Sequence, residues 1–338
     1  MEQEIAQGQA ESTEGKGDVQ NGFTVVRIRG KDHRFPAAEV ADSTVVVFGK
    51  AIRIASVKDE LFKRNPVGNP ELFVAKLKES GLRADVFTFS QKPPDVGPRY
   101  NYLRESDNFA AIHTADFNAW WDRLPQETRK NVRRASNRGV VVKVVELTDD
   151  FVLGVMEIYD ESPIRQGKPF HHYRKDVETV RRELSTFAAT SEFLGAYSGD
   201  ELIGFMKLVH MGPLSSMMHI VSKNAHSDKR PMNALIAEAV ALCNKKGISY
   251  LTYGSYTYGR KANDSLAEFK RRNGFEKIEF PRYYLPVTLR GRIILALRLH
   301  RSAIDILPPW LVTVLVGVRA RVIQAVVSVR RFSSIKSR

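Results

Sequence analysis

Several groups of residues have the types and spacing that chemistry requires. Arg165, Gln166 and Lys168 stand in a Pro/Gly-bounded stretch, SPIRQGKPF, followed directly by His171 and His172. Such a loop can clamp a phosphorylated or carboxylated acceptor, since guanidinium binds those groups bidentately; the plainer reading is an exposed polar loop. Adjacent histidines seldom ligate one ion and no partner cluster accompanies them, so no metal site is expected. Lys229 and Arg230 precede PMNALIAEAVALCNKKG, which reads as a helix with Pro231 at its first position and Gly247 as its stop. A helix N-terminus offers free N–H groups to a phosphate, which makes Lys229, Arg230, Met232 and Asn233 candidates for binding an anionic donor. His219, in the apolar run SMMHIVSKN, is a candidate general base, since the imidazole side chain as a type exchanges protons near neutrality, although a lone strand histidine is more often simply packed. Tyr256 and Tyr258, in YGSYTYGR, can line a site or protonate a leaving group. Ser-His-Asp, zinc and phosphate-loop patterns are absent.

Arg129, Lys130, Arg133, Arg134 and Arg138 recur at four-residue steps and form one basic helical face with Glu127 nearby. A solvated face is the commoner explanation; the alternative is salt-sensitive contact with tRNA or an anionic head group. Charge is unevenly placed along the 338 residues, whose formal net charge is +14. Residues 1–21 carry five acids against one lysine and read as a disordered leader. Residues 289–338 carry ten Lys/Arg against one acid, Asp305. This distribution points to anionic partners; no DNA partner is expected. Cys243 is the only cysteine, which excludes an intrachain disulfide and a multi-cysteine metal site. The N-terminus lacks signal-peptide character, so a cytoplasmic protein is the default.

The elements that must position these residues follow from periodicity. FTVVRIR, STVVVFGKAIRIASV, ADVFTFS and NFAAIHT read as strands, and NPELFVAKLKESG reads as a helix. One helical stretch is expected over 116–137. From residue 139 to 288 the order is β-α-α-β-β-β-α-β-α-β, closing on a strand pair in FEKIEFPRYYLPV. Ser265 and Glu268 have the spacing of a capping box. In the tail, ILPPWLVTVLVGV is an uncharged run of 13 residues, short of the ~20 that span a bilayer. Arg319 and Arg321 interrupt the apolar sequence that follows. That pattern fits an interfacial amphipathic helix on the inner face of a membrane; the alternative is a hairpin packed on the body.

The element order is that of the GNAT acyltransferase fold, in which a donor binds where two central strands splay apart. The stretches FNAWWDRLPQETRKNVRRASNRGVVVKVV, IYDESPIRQGKPF, KRPMNALIAEAVALCNKKGISYLTYGSY and SLAEFKRRNGFEKIEFPRYYLP resemble the FemAB-like branch of that superfamily. The resemblance covers roughly 100–288 well and 22–100 weakly. It implies a partial GNAT-like domain at 22–125, a complete one at 126–288 and a basic amphipathic tail at 289–338. It further implies transfer of an acyl or aminoacyl group, from acyl-CoA or aminoacyl-tRNA as co-substrate, to an amine of a cell-envelope or surface-polysaccharide precursor, including a lipid-linked one. No bound cofactor is implied. Lys270, in the Phe-Lys pair of SLAEFKRRNG, matches a lysine implicated in stabilising the oxyanion of acyl transfer; a solvated lysine beside Arg271 and Arg272 is the plainer alternative. Acetyl-CoA-using relatives carry a glycine-bearing loop where this chain reads Lys229-Arg230-Pro231-Met232-Asn233-Ala234. A reading from another class is a catalytically silent GNAT-fold module that binds membrane or RNA.

Overall fold

The computed structural model describes residues 10–11, 19–28, 31–165, 167–257 and 265–301. The chain forms two compact units, Met1–Arg292 and Ile293–Arg338. Arg319 and Arg321, and with them the tail expectations, lie outside the described residues.

The first unit opens with four strands, β1 (Phe23–Ile28), β2 (Lys31–Val40), β3 (Ser43–Phe48) and β4 (Ile54–Val57). Helix α1 (Pro70–Glu79) follows, and its start is legible: the Asn69 side chain accepts the Leu72 N–H at 2.9 Å, and Pro70 holds the first helical position. It buries Phe73, Val74 and Leu77 against β3–β5. Strands β5 (Val86–Ser90) and β6 (Leu103–His113) complete this half. Strand β2 carries Pro36 and five charged residues or histidine and is not among the strands expected from sequence; its pairing with β1 on one side and β3 on the other makes it a strand. Within the stretch expected to be a disordered leader, Ala10–Glu11 pairs antiparallel with Arg27–Ile28, and most of the rest lies outside the described residues. An edge strand offers unpaired N–H and C=O groups to any extended segment, whatever its apolar content.

The expected single helix over 116–137 is two, α2 (Phe117–Arg123) and α3 (Gln126–Asn137). Pro125 is the cause, since a residue before proline is pushed out of the helical region; Leu124 accordingly sits at φ −63°, ψ 143°. Then come β7 (Val140–Val145), α4 (Asp149–Asp160), α5 (Val177–Leu184), β8 (Ser191–Ser198), β9 (Glu201–Met211), β10 (Leu214–Ser222), α6 (Pro231–Lys245), β11 (Tyr250–Thr252), α7 (Ser265–Arg272) and β12 (Glu276–Pro286). This is the order expected for the GNAT fold. The closing segment is one strand rather than two, and it runs through Pro281 without a break.

One sheet carries all of it, in the order Ala10–Glu11, β1, β2, β3, β4, β5, β12, β6, β11, β10, β9, β8, β7. The last strand is thus inserted between two strands of the first half. Residues 276–284 pair with β6, and residues 282–286 pair with β5. Helix α6 packs on one face with Trp120, Leu124, Ile203, Met206 and Leu251, while α4 and α5 cover Phe193, Leu202 and Phe205 on the other.

Arg282 lies at the crossing point of β12. Its guanidinium reaches Glu60 at 3.1 Å and Asp107 at 2.8 Å, with all three side chains nearly buried. Burial works against its charge, but Glu60 and Asp107 outweigh that and raise its pKa. Arg282→Met leaves two carboxylates buried without their cation. We expect a loss of roughly 3 kcal/mol, read as a lower urea midpoint with an unchanged slope.

Candidate active site

The opening begins at the seam between β10 and β11. These strands run parallel for three residue pairs only, Leu214–Tyr250, Ser215–Leu251 and Ser216–Thr252. Beyond them β10 stays with β9 as far as Ser222 opposite Gly204. The chain after β11 instead follows β6: Tyr253 N–H donates to Ala110 O, and Ala110 N–H donates to Gly254 O, both at 2.9 Å. The two strands therefore splay. A register shift opposite Lys207 and Leu208 leaves Met218 as an extra residue in β10 at that point, and a bulge of this kind frees backbone groups and bends the strand.

Lys270 occupies the foot of the splay, and it is not a solvated lysine. The residue is 0% exposed; Nζ donates to the Ser255 carbonyl at 2.6 Å and lies 4.9 Å from the centre of the Tyr253 ring. Arg271 and Arg272 are the solvated members of the helix, and both grip Glu268, at 2.8 Å and 2.6 Å. That pairing takes the Glu268 carboxylate, and the capping box with Ser265 is not formed. The hydrogen bonds from the two arginines hold the Glu268 carboxyl down near 2.

A cleft of about 580 Å³ opens beside this helix. Arg230, Met232 and Asn233 line it from the start of α6, Phe269, Arg271 and Asn273 from the α7 side, and Asn131 from α3. Three of the four sequence-derived donor residues, Arg230, Met232 and Asn233, thus share one cleft of ligand size with the helix of Lys270. Asn233 Nδ2 donates to Asn273 Oδ1 at 2.9 Å, tying the two walls together. Two buried polar atoms lack partners here, Asn131 Oδ1 and Arg230 Nε. Arg230 adopts φ +58°, the left-handed region that favours glycine. Lys229 turns aside to Ser198 Oγ at 2.7 Å.

Arg165 lies next to the cleft with its two terminal nitrogens engaged and its buried Nε without a partner among the described residues. It donates to Ser222 O and Ile158 O at 2.7 Å each, approaches Glu161 at 3.2 Å and lies over the Phe170 ring. Burial lowers its pKa against the pull of Glu161. Its visible work is to fix the end of β10, since Ser222 lines the cleft. Lys168 is exposed on a two-residue hairpin strand, and Gln166 and Tyr258 lie outside the described residues. Tyr256 is half-buried, and its backbone N–H donates to Asn108 Oδ1 at 3.0 Å. Along α3, Lys130 and Arg133 are exposed, Arg129 reaches Asp122 at 3.9 Å, Arg133 lies 5.7 Å over Trp121 and Arg134 is half-buried.

His219, one residue past the bulge, packs edge-to-face on His172, with ring centres 5.7 Å apart. His172 is buried, stacks on Tyr159 and accepts at Nδ1 from Lys175 Nζ, 3.0 Å away. Lys175 also donates to both Glu183 oxygens at 2.8 Å, and Arg27 of β1 pairs with the same carboxylate. The sequence singles out His172 and His219 separately; their meeting, and the roles of Lys175, Glu183 and Arg27, are not legible in it because β1, the 172–183 stretch and β10 lie far apart in the chain. A second cavity, of about 70 Å³, lies among Lys58, Glu60, Lys92, Asp107, Ser255 and Arg282. Burial pushes the Lys92 ammonium down to about 8, against the pull of Glu60.

Glu183 supplies a pH test. Burial disfavours its charge, yet His172 and Lys175 prevail and hold it down to about 2. A carboxylate with a depressed folded pKa stabilises above its unfolded value and loses that contribution as pH falls. After allowance for solvent screening, we expect about 2 kcal/mol at neutral pH, lost between about pH 5 and pH 2. In urea titrations across that range, Glu183→Gln should be less stable than wild type at neutral pH and should show a shallower acid limb.

No family model matches the sequence, and no curated protein matches it. Solved structures do. The crystal structure of FemX aligns with 81% of this chain and 90% of its own length, at TM-score 0.54 and 11% identity. The C-terminal domain of a putative lysylphosphatidylglycerol synthetase from Agrobacterium fabrum aligns with 77% of this chain and 87% of its own, at TM-score 0.48 and 13% identity. Among the described residues there is no group of metal-ligating side chains, and no helix is long and apolar enough to cross a membrane. With FemX superimposing over nine-tenths of its own length, the chain has the fold of FemX, and β10 and β11 part within it beside Lys270.

Proposed function

We propose that the protein is an acyltransferase that moves an acyl or aminoacyl group from acyl-CoA or aminoacyl-tRNA to an amine. The observation that carries this reading is the buried Lys270 ammonium on the Ser255 carbonyl. It links the helix that lines the 580 Å³ cleft to the loop that lines the smaller cavity on the opposite side. A donor in the cleft and an amine arriving from the other side would meet at the splay between β10 and β11.

The chemistry follows without a covalent enzyme intermediate. The amine nitrogen attacks the donor carbonyl carbon, and the carbonyl π electrons move to oxygen. Lys270 is the cation beneath that developing charge. Collapse of the tetrahedral species expels the donor's thiolate or ribose alkoxide; His219 takes the proton lost by nitrogen, and the Tyr256 hydroxyl supplies one to the leaving group. Arg230, at the N-terminus of α6 with Met232 and Asn233, would face the donor's phosphates; its unpartnered Nε supports that role. Arg129, Lys130, Arg133 and Arg134 extend positive charge along α3, beside the cleft, and would serve a polyanionic donor. Arg165 and Lys168 would approach the acceptor, Arg165 by holding Ser222 in place. A lipid-linked acceptor at the inner face of a membrane accords with the basic tail.

Equilibrium binding of acetyl-CoA and of tRNA, each at low and high salt, tests the donor. Saturable acetyl-CoA binding that survives high salt makes acyl-CoA the donor; tight tRNA binding without it makes the donor an aminoacyl-tRNA. If neither saturates, the protein is a binding module and not an enzyme. With the donor in hand, Lys270→Met should lower turnover by roughly 100- to 1000-fold, the range for loss of one oxyanion-stabilising group. Full turnover in a folded Lys270→Met protein would remove Lys270 from the mechanism. Arg230→Gly should relieve the left-handed strain and stabilise the fold by up to about 1 kcal/mol. The same substitution should weaken donor binding about tenfold at low salt.

A further inference from the structure

The last described helix, α8 (Leu289–Ala296), has two apolar faces. Ile294 and Leu295 are buried at 4% and 8% exposure. Leu289, Ile293 and Leu297 are 75%, 59% and 63% exposed. Their four-residue spacing puts them in one line along the helix, and the Leu297 N–H, bonded to Ile293 O at 2.9 Å, carries the turn past Ala296. Leu299, 45% exposed, follows. Scattered exposed leucines need no explanation, but a line of three does.

The charges beside this line are of one sign. From residue 287 to 304 the sequence has four arginines, at 290, 292, 298 and 301, and no Asp or Glu. Arg290 reaches Asp85 at 3.5 Å and the Ala51 carbonyl at 2.6 Å, whereas Arg292 and Arg298 are exposed. Arg298 sits at φ +54°, a backbone position that glycine fills without strain. A second copy of the helix would bring arginines against arginines. A surface of phosphodiester head groups over hydrocarbon answers both features, because it accepts apolar side chains and attracts the cations around them. The sequence beyond continues the alternation, with the uncharged run 306–318 followed by Arg319 and Arg321.

We propose that α8 docks on an anionic phospholipid surface, with Leu289, Ile293 and Leu297 entering the interface and Arg292 and Arg298 contacting head groups. The proposal deepens the membrane part of the proposed function and does not rest on the transfer chemistry.

Co-sedimentation of the full chain tests it, with vesicles of phosphatidylcholine alone and of equal parts phosphatidylcholine and phosphatidylglycerol. Wild type should bind the anionic vesicles at low salt, more weakly at high salt, and the neutral vesicles at least about tenfold more weakly. The combined Leu289→Ser, Ile293→Ser, Leu297→Ser variant should lose about tenfold or more of the anionic binding. Arg298→Gly should lose about fivefold while unfolding at no lower temperature, since glycine suits that backbone position. Wild-type binding by the serine variant, or absence of binding by wild type, overturns the proposal. So does a dimer in sedimentation equilibrium that the serine variant abolishes, which would make the stripe a self-association face. Acetyl-CoA and tRNA binding measured without vesicles should be unchanged in these variants, so failure of α8 to dock and failure of the acyltransferase reading are read separately.

Discussion

The ladder between β10 and β11 runs for three residue pairs, and the rest of the site follows from where that pairing stops. A parallel pair continued to Ser222 would leave no gap in the sheet. Instead, Ala110 of β6 takes both the N–H of Tyr253 and the carbonyl of Gly254 into its own ladder, which draws the chain away from β10. Backbone groups in a sheet must find partners; here they find them on β6. The opening is therefore a consequence of satisfied hydrogen bonds elsewhere and needs no strain at the gap itself.

Buried cations stabilise the structure around that gap. Lys207, 0% exposed, donates to the carbonyls of Leu184 and Thr186 at 2.8 Å and 2.5 Å and so closes the end of α5. Lys92 donates to the carbonyls of Glu60 and Lys63 beside the small cavity. Arg282 has two carboxylates. In each case the low-dielectric surroundings that penalise a charge also strengthen its hydrogen bonds. Lys270 belongs to this set by burial but differs in place, because its carbonyl partner, Ser255, belongs to the segment that has just left β10. In the proposed reaction, a cation held there would meet the developing oxyanion without reorganisation of solvent, which is how preorganised sites lower barriers.

The two halves are interlocked by the last strand. Because β12 lies between β5 and β6, residues near the end of the first unit complete a sheet begun by residues 23–113. The pairing of Arg27 on β1 with Glu183 on α5 adds a second connection, one that reaches the His172–His219 contact. The geometry around the splay thus draws on residues from nearly the whole of that unit.

Local chemistry made much of this legible in the sequence. The strands from 139 onward, α6 between Pro231 and Gly247 and the Asn69 cap are set by short-range rules: β-branched runs, a capping side chain, proline at a first helical position, glycine after a last one. The grouping of Arg230, Met232 and Asn233 follows from a helix start. Other features depended on partners distant in the chain. Strand β2 is polar and holds a proline, and only β1 and β3 on its flanks make it a strand. Lys270 reads as one cation in a basic helix until its neighbours enclose it, and nothing near Arg165 in the chain foretells that the carbonyls of Ser222 and Ile158 receive its terminal N–H groups. Local propensity and capping act over a few residues, so sequence alone determined the elements and their order. Burial, charge pairing and the parting of two strands act between residues as far as 222 positions apart, as Glu60 and Arg282 are, and only the tertiary structure decided them.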